Sequence, residues 1–260
     1  MNALAPAVSE QIVLVTGGAR GLGAAITKAF AAQGARLVIN FHRSASAAAA
    51  LVDELGGAGR AVALGADVTD RDAVFDLVAR AREHFGAPVC TVVNNALADF
   101  SFNGDDRAKP DTIDWQAFDA QFRGTVAAAL NTTQAVLGDM RSAGFGRIVN
   151  IGTNLVQNPV VPYHDYTAAK AALLALTRTL SADLGPDGIA VNMVSGGLLR
   201  TTDASAATPT AVFDAIAAGT PLRTVTTPDE FADAVLFFAS PWSRAVTGQN
   251  LVVDGGLVKD

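Results

Sequence analysis

Seven short, mainly apolar runs punctuate the chain: Ile12 to Val15, Leu37 to Ile39, Ala61 to Leu64, Val89 to Val93, Ile148 to Ile151, Ile189 to Val194 and Leu251 to Val253. None alternates in polarity, the pattern of strands in a parallel sheet covered on both faces. The intervals between them have helix length. From Trp115 through Phe118, Phe122, Val126, Leu130, Leu137 and Met140, large apolar residues recur at steps of three, four or seven, which predicts one long amphipathic helix. A second helix is predicted from Tyr166 through Leu180. Strand and helix in alternation imply right-handed crossovers. The expected fold is α/β: a single doubly wound, Rossmann-type domain over residues 1–260 with a seven-stranded parallel sheet, its ligands beyond the carboxyl ends of the strands. Two polar, turn-rich stretches, Asp99 to Asp114 and Gly196 to Thr210, follow strands four and six. They place the expected substrate loops near residues 97–114 and 195–220.

Composition narrows the classes. Half of the 260 residues are hydrophobic and 17% charged, ample for a large core. The 51 alanines make much of that apolar fraction small, and the longest apolar runs are six residues, such as Ala47 to Val52. A membrane span needs about 20 apolar residues, so no membrane partner is expected. With 19 Lys and Arg against 25 Asp and Glu, the net charge of −6 disfavours a nucleic-acid surface. The lone Cys90 forms no intrachain disulfide and reads as a buried strand residue. His42, His84 and His164 are scattered, without metal-ligand spacing. The first ten residues have no targeting pattern, and the expected location is cytoplasmic.

The chemistry begins where strand one runs into Thr16-Gly17-Gly18-Ala19-Arg20-Gly21-Leu22-Gly23 and then a helix. Glycines permit a sharp turn and close approach of backbone N–H groups to a pyrophosphate, with the helix N-terminus adding partial positive charge. This points to a dinucleotide. The residue ending strand two selects the cofactor: a carboxylate binds the 2′-hydroxyl of NAD, basic groups the 2′-phosphate of NADP. Here the chain reads Asn40-Phe41-His42-Arg43-Ser44 without an acid, and Arg20 and Arg43 approach from two sides, so NADP (NADPH) is expected. Tyr166 and Lys170, four apart on a helix, share a face and suit proton transfer, the ammonium lowering the phenol pKa.

The spacing of the glycine turn resembles Thr-Gly-x-x-x-Gly-x-Gly of the short-chain dehydrogenase/reductase family, and other matches follow in order. Asp67-Val68 looks like the family's adenine-contacting turn, Asn94-Asn95-Ala96 like its Asn-Asn-Ala-Gly, and Tyr166-Thr167-Ala168-Ala169-Lys170 like its Tyr-x-x-x-Lys. Thr247-Gly248-Gln249 with Val253-Asp254-Gly255-Gly256 is similar to the close of members that reduce 3-oxoacyl groups on acyl carrier protein. The resemblance spans approximately Gln11 to Gly256. It implies cofactor contacts from Gly17, Gly18, Arg20, Gly21, Leu22, Gly23, Phe41, His42, Arg43, Ser44, Asp67, Val68, Asn94, Asn95, Ala96, Tyr166, Lys170, Gly196, Gly197, Leu199 and Thr201. Tyr166 would be the general acid, with Lys170 supporting it. Thr153 would polarise the carbonyl where the family usually has Ser, and Thr125 stands where it has an Asn that helps hold a relay water.

Leu97 replaces the Gly of Asn-Asn-Ala-Gly, and Ser195-Gly196-Gly197 stands where Pro-Gly is usual. The leading expectation, carried by the resemblance, is NADPH-dependent reduction of a ketone to a secondary alcohol in the manner of the members that reduce 3-oxoacyl groups on acyl carrier protein in fatty acid biosynthesis; a dehydrogenase/reductase for a small alcohol, sugar or other ketone is the enzymatic alternative. A cofactor-binding regulatory protein with little turnover is the alternative from another class. The resemblance also implies a homotetramer, for which Ala168, Ala169, Ala171, Ala172 and Ala175 offer close packing; the same alanines also suit packing within one chain.

Overall fold

The computed structural model describes residues 5–97, 100, 102–202, 205–206 and 208–259; Asp99 of the expected lid lies outside them. Seven strands, β1 (Ile12–Val15), β2 (Arg36–Phe41), β3 (Ala61–Gly65), β4 (Thr91–Asn94), β5 (Gly146–Thr153), β6 (Ile189–Gly196) and β7 (Asn250–Val253), form one sheet in the order β3-β2-β1-β4-β5-β6-β7. Every pairing is parallel. The single-domain doubly wound fold is therefore the observed one, and its direction of winding reverses between β1 and β4.

Among the described residues eight α-helices accompany the sheet: α1 (Gly21–Ala32), α2 (Ala45–Glu54), α3 (Arg71–Phe85), α4 (Trp115–Phe122), α5 (Ala128–Ala143), α6 (His164–Leu184), α7 (Thr210–Gly219) and α8 (Pro228–Ala239). The central strands are mainly apolar on both faces because consecutive side chains enter two different cores. Val13 and Val15 of β1 pack with Ile26 and Phe30 of α1 and Phe231 and Val235 of α8. Ile12 and Leu14 point the other way, toward Leu77 and Val78 of α3 and Val136 and Met140 of α5. Phe30 is fully buried, which contributes about 1.5–3 kcal/mol by area. Cys90 bonds Ile12 O through Sγ at 3.7 Å, and burial pushes its thiol pKa up.

One expected element differs. The continuous helix from Trp115 to Met140 is divided by a π-helical turn at Arg123–Ala127. Gly124 there carries the entropy cost of a residue without Cβ, and Thr125 and Val126 crowd the preceding turn, so the α register is weakest at this point.

A ladder of buried polar side chains crosses the sheet beneath the site. Thr132 Oγ1 on α5 donates to Asn94 Oδ1 at 2.6 Å, Asn94 Nδ2 to Asn150 Oδ1 at 2.8 Å, and Asn150 Nδ2 to Thr177 Oγ1 on α6 at 2.9 Å. Thr177 Oγ1 donates in turn to Leu173 O at 2.8 Å. Every link pairs a donor with an acceptor, so burial leaves these links satisfied and fixes α5 and α6 relative to β4 and β5.

Candidate active site

The turn after β1 has a geometry that only glycine tolerates. Gly17 and Gly21 have φ of 61° and 52°. At Gly23 a Cβ would lie 2.1 Å from Gly17 O, and at Gly17 a Cβ would lie 3.1 Å from Ala96 Cα. Buried and half-buried polar side chains hold the turn in place. Thr16 Oγ1 donates to Val93 O at 3.3 Å and accepts from Asn95 N at 2.9 Å and Ala96 N at 3.0 Å. Asn95 Nδ2 donates to Thr16 O at 2.9 Å, Asn40 Oδ1 accepts from Gly17 N at 3.2 Å, and Thr27 Oγ1 donates to Gly23 O at 2.8 Å. Helix α1 follows with no side-chain cap at Arg20, so its first N–H groups remain available to an anion. A cradle too close for any Cβ, opening on a helix N-terminus, fits a pyrophosphate.

A cavity of about 1600 Å³ runs over this turn and along the carboxyl ends of the strands. One end is lined by Arg20, Phe41, His42, Arg43, Ser44, Asp67 and Val68. Phe41 lays its ring against Gly65, where a Cβ would lie 3.2 Å from Cε2 and Cζ. His42 Nε2 stands 4.0 Å from Asp67 Oδ2. Asp67 Oδ1 accepts from Thr69 N at 2.9 Å and Thr69 Oγ1 at 2.8 Å. The Thr69 N–H is the main cause of an Asp67 pKa below the usual value, with the charge of nearby Arg43 adding to it. Asn131 Nδ2 on α5 secures this turn by donating to Val68 O at 3.0 Å.

At the other end stand Thr153, Tyr166 and Lys170. Thr153 closes β5, and its Oγ1 accepts from Leu155 N at 3.3 Å, which orients a hydroxyl whose β-branch restricts χ1. Tyr166 and Lys170 are 5% and 4% exposed on successive turns of α6. Lys170 Nζ donates to Ile151 O at 2.6 Å and lies 5.7 Å from the Tyr166 ring centroid. Contrary to the lowered phenol pKa expected from the neighbouring ammonium, burial raises the Tyr166 pKa to about 12 against the opposing pull of a hydrogen bond with Thr153, and burial lowers that of Lys170 to about 8.

Aromatic residues pack around Tyr166 at this end. Phe100 stacks on Tyr166, ring centroids 4.3 Å apart and planes at 16°, while Phe102 meets the same ring edge-on at 5.8 Å. The segment is anchored by Gly104 N donating to Tyr163 Oη at 2.8 Å and Arg107 Nε donating to Pro162 O at 3.0 Å.

A family described as enoyl-(acyl carrier protein) reductase matches residues 17–258. The chain is 34% identical to a 3-oxoacyl-[acyl-carrier-protein] reductase of Synechocystis over 97% of its own length and 98% of the relative's. It is also 34% identical to an acetoacetyl-CoA reductase of Allochromatium vinosum, covering 95% and 98% of the two chains. A solved short-chain dehydrogenase/reductase from Serratia marcescens, a mutant form, superposes with a TM-score of 0.82 at 30% identity, covering 95% of this chain and 97% of that one. The chain belongs to the short-chain dehydrogenase/reductase family.

As a member of that family it binds a nicotinamide cofactor and acts on CH–OH or C=O groups, and most of the expected site residues meet in the one cavity. Gly17, Arg20, Gly21, Leu22, Gly23, Asn95, Ala96, Gly196, Gly197 and Leu199 all line it, with Thr153, Tyr166 and Lys170. Four do not. Gly18 is buried against Val15 O, which a Cβ there would approach to 2.9 Å. Asn94 spends both ends of its amide in the polar ladder. Thr201 is exposed and outside the lining, where Thr202 appears instead.

Thr125, the fourth, borders a separate small cavity of about 10 Å³ together with Lys170, and its buried Oγ1 has no hydrogen-bond partner among the described residues. A space of that size is at the lower limit for holding one water molecule. The substitution of Gly196 for Pro also has a physical reason: a Cβ there would lie 2.8 Å from Phe231 Cε2. Leu97 packs with the aromatic cluster around Tyr166.

The motifs did not assign roles to Asn40, Thr27, Asn131, Phe100 or Phe102. A polar residue ending the apolar run of β2 was the available sign for Asn40; nothing in the sequence marks the aromatic pair. Gly23→Ala drives a methyl group into Gly17 O, so nicotinamide dinucleotide affinity should fall by about tenfold or more, roughly 1.4 kcal/mol. Fluorescence titration checks this, and unchanged affinity would dissociate the glycine turn from cofactor binding.

Proposed function

We propose that this chain is an NADPH-dependent reductase converting a ketone to a secondary alcohol. The reading rests chiefly on the convergence of Thr153, Tyr166 and the buried Lys170 ammonium at one end of the cavity that the glycine turn lines at the other. When bound, the reduced nicotinamide supplies the hydride for the carbonyl carbon. Thr153 donates a hydrogen bond to the carbonyl oxygen, and Tyr166 transfers its phenolic proton to that oxygen as charge develops. Lys170 stabilises the phenolate that remains. Thr125 and Lys170 share the one-water cavity, a short route by which the proton is replaced. Preference for NADPH follows from the absence of an acid at Phe41 and the presence of Arg20, His42 and Arg43 at the same end.

The lid favours a free ketone over a thioester carried by an acidic protein. Arg107 Nε donates to Pro162 O and its Nη1 stands 3.8 Å from Asp105, and Lys109 stands 3.5 Å from the same carboxylate, so the lid's two cations lie beside an acid and do not form a clear basic landing site. Likeness to 3-oxoacyl and acetoacetyl reductases supports the thioester, and with it fatty acid biosynthesis, as the second reading. Little-turnover regulation is disfavoured because the acid, its lysine and a donor hydroxyl are assembled together. Among the described residues no helix is long and apolar enough to cross a membrane, and a cytoplasmic location rests on that and the single cysteine. We also infer a homotetramer: Ala171 and Ala175 are exposed on α6, and Trp115, 74% exposed, lies on the adjoining α4.

Arg43→Ala should reduce the NADPH-over-NADH ratio of kcat/KM by about tenfold, a charge-assisted contact of roughly 1.4 kcal/mol; equal use of both cofactors by the parent protein overturns the assignment. Tyr166→Phe should lower turnover by at least about 10²-fold while keeping dinucleotide binding. Because Lys170 is charged only below its lowered pKa, ketone reduction should decline as pH rises past about 8; a flat profile in stopped assays from neutral to alkaline pH would remove the lysine from the mechanism. Light scattering over a range of concentrations should give four copies, a persistent monomer being the adverse result.

A further inference from the structure

Asn154 follows Thr153 directly, is 5% exposed and lines the large cavity. Its Nδ2 donates to Asp254 Oδ2 at 2.9 Å. Asp254, itself 6% exposed, also accepts from Gly256 N at 3.0 Å, Leu257 N at 2.9 Å and Val258 N at 3.1 Å. A carboxylate surrounded by donors accepts from the amide's NH₂ and not from its oxygen, so this contact decides which way the Asn154 amide is turned. Gly197 stands beside the same nitrogen, where a Cβ would come within 3.0 Å of Nδ2. The Asn154 amide is thus held by the closing turn of the chain, and its Oδ1 enters no hydrogen bond among the described residues.

That oxygen is open to the cavity, where water meets it until a ligand hydroxyl donates to it instead, and a pre-oriented acceptor lowers the ordering cost of that exchange. The neighbouring Thr153 hydroxyl accepts from Leu155 N and keeps its own proton to give. Consecutive residues therefore offer one donor and one acceptor at the same end of the cavity. Around them the lining is apolar, with Leu155, Phe102, Val161 and Ile216.

We propose that Asn154 is a specificity-determining residue whose Oδ1 accepts a hydrogen bond from a substrate hydroxyl close to the ketone, so that the preferred substrate is a hydroxyketone on an otherwise apolar body. The proposal rests on the reading of Thr153 as the carbonyl-binding group. It explains why this position carries an amide pinned by a carboxylate, where a freely rotating side chain would present donor and acceptor alike. The same pinning excludes a substrate that offers only an acceptor at this point, since both groups would then be acceptors facing one another.

The test compares α-hydroxyacetophenone with propiophenone, which puts a methyl group in place of the hydroxyl, and with α-methoxyacetophenone, which keeps the electron-withdrawing oxygen but cannot donate. The parent protein with NADPH should favour the hydroxyketone over both by about tenfold or more in kcat/KM, and Asn154→Leu, close in volume, should bring the three within about threefold. No preference in the parent protein, or the same preference in the variant, overturns the proposal. Calorimetric affinities of the three ketones for the NADP-loaded protein, which has no hydride to give, separate the two readings. Tighter binding of the hydroxyketone without turnover of any ketone would sink the reductase reading and keep the hydroxyl site; equal affinities would sink the site. The parent protein's calorimetric ranking decides the matter if Asn154→Leu fails to fold.

Discussion

The arrangement depends on one buried ammonium. Lys170 is almost fully enclosed, and taking a charge out of water is costly unless polar groups replace the solvent. The Ile151 carbonyl, 2.6 Å from Nζ, is that replacement. Because Ile151 belongs to β5, the contact ties α6 to the strand that carries Thr153 two residues later. Tyr166 lies four residues earlier on the same helix, about 6 Å along its axis, so fixing Lys170 also fixes the phenol beside the strand end. The Thr132, Asn94, Asn150 and Thr177 ladder braces the same two layers from below.

The cofactor end follows the same logic with neutral groups. A turn of glycines is entropically costly to order and has no side chains with which to anchor itself. Here Asn40, Asn95 and Thr27 supply anchors from neighbouring elements through bonds to the turn's own backbone, and Thr16 ties the turn to the backbone of Asn95 and Ala96 through its hydroxyl. The N–H groups at the start of α1 are thereby oriented before any ligand arrives, which lowers the ordering cost of binding.

How much of this was legible in the sequence differs by level. The sheet was readable because its central strands bury both faces, leaving mainly apolar runs with no alternation. The pair Tyr166 and Lys170 was readable because four residues make one helical turn. By contrast, a motif identifies chain neighbours and not the face on which each falls: Asn94 and Asn95 are adjacent, yet successive side chains of extended backbone point oppositely, so one joins the ladder and the other meets the glycine turn. The π turn at Thr125 escaped because apolar spacing alone does not distinguish a widened turn from a regular one. Phe231 could not be paired with Gly196 from sequence, though together they account for the missing proline, the ring occupying the space that proline's Cβ would need.

Burial acts on the two ionisable groups in opposite directions, and the result has a chemical sense. The phenol, raised to about 12, is neutral and carries the proton that a reduced carbonyl oxygen must acquire. The lysine, lowered to about 8, is still mostly charged at neutral pH but close enough to its midpoint to exchange a proton readily. As the phenol loses its proton, the nearby ammonium favours the phenolate, so the pair is poised for giving a proton and then regaining one through Lys170. Reduction of a ketone consumes a proton and oxidation of an alcohol releases one. Loss of the Lys170 charge in alkaline solution therefore disfavours reduction through the protein in the same direction that mass action disfavours it in the solvent.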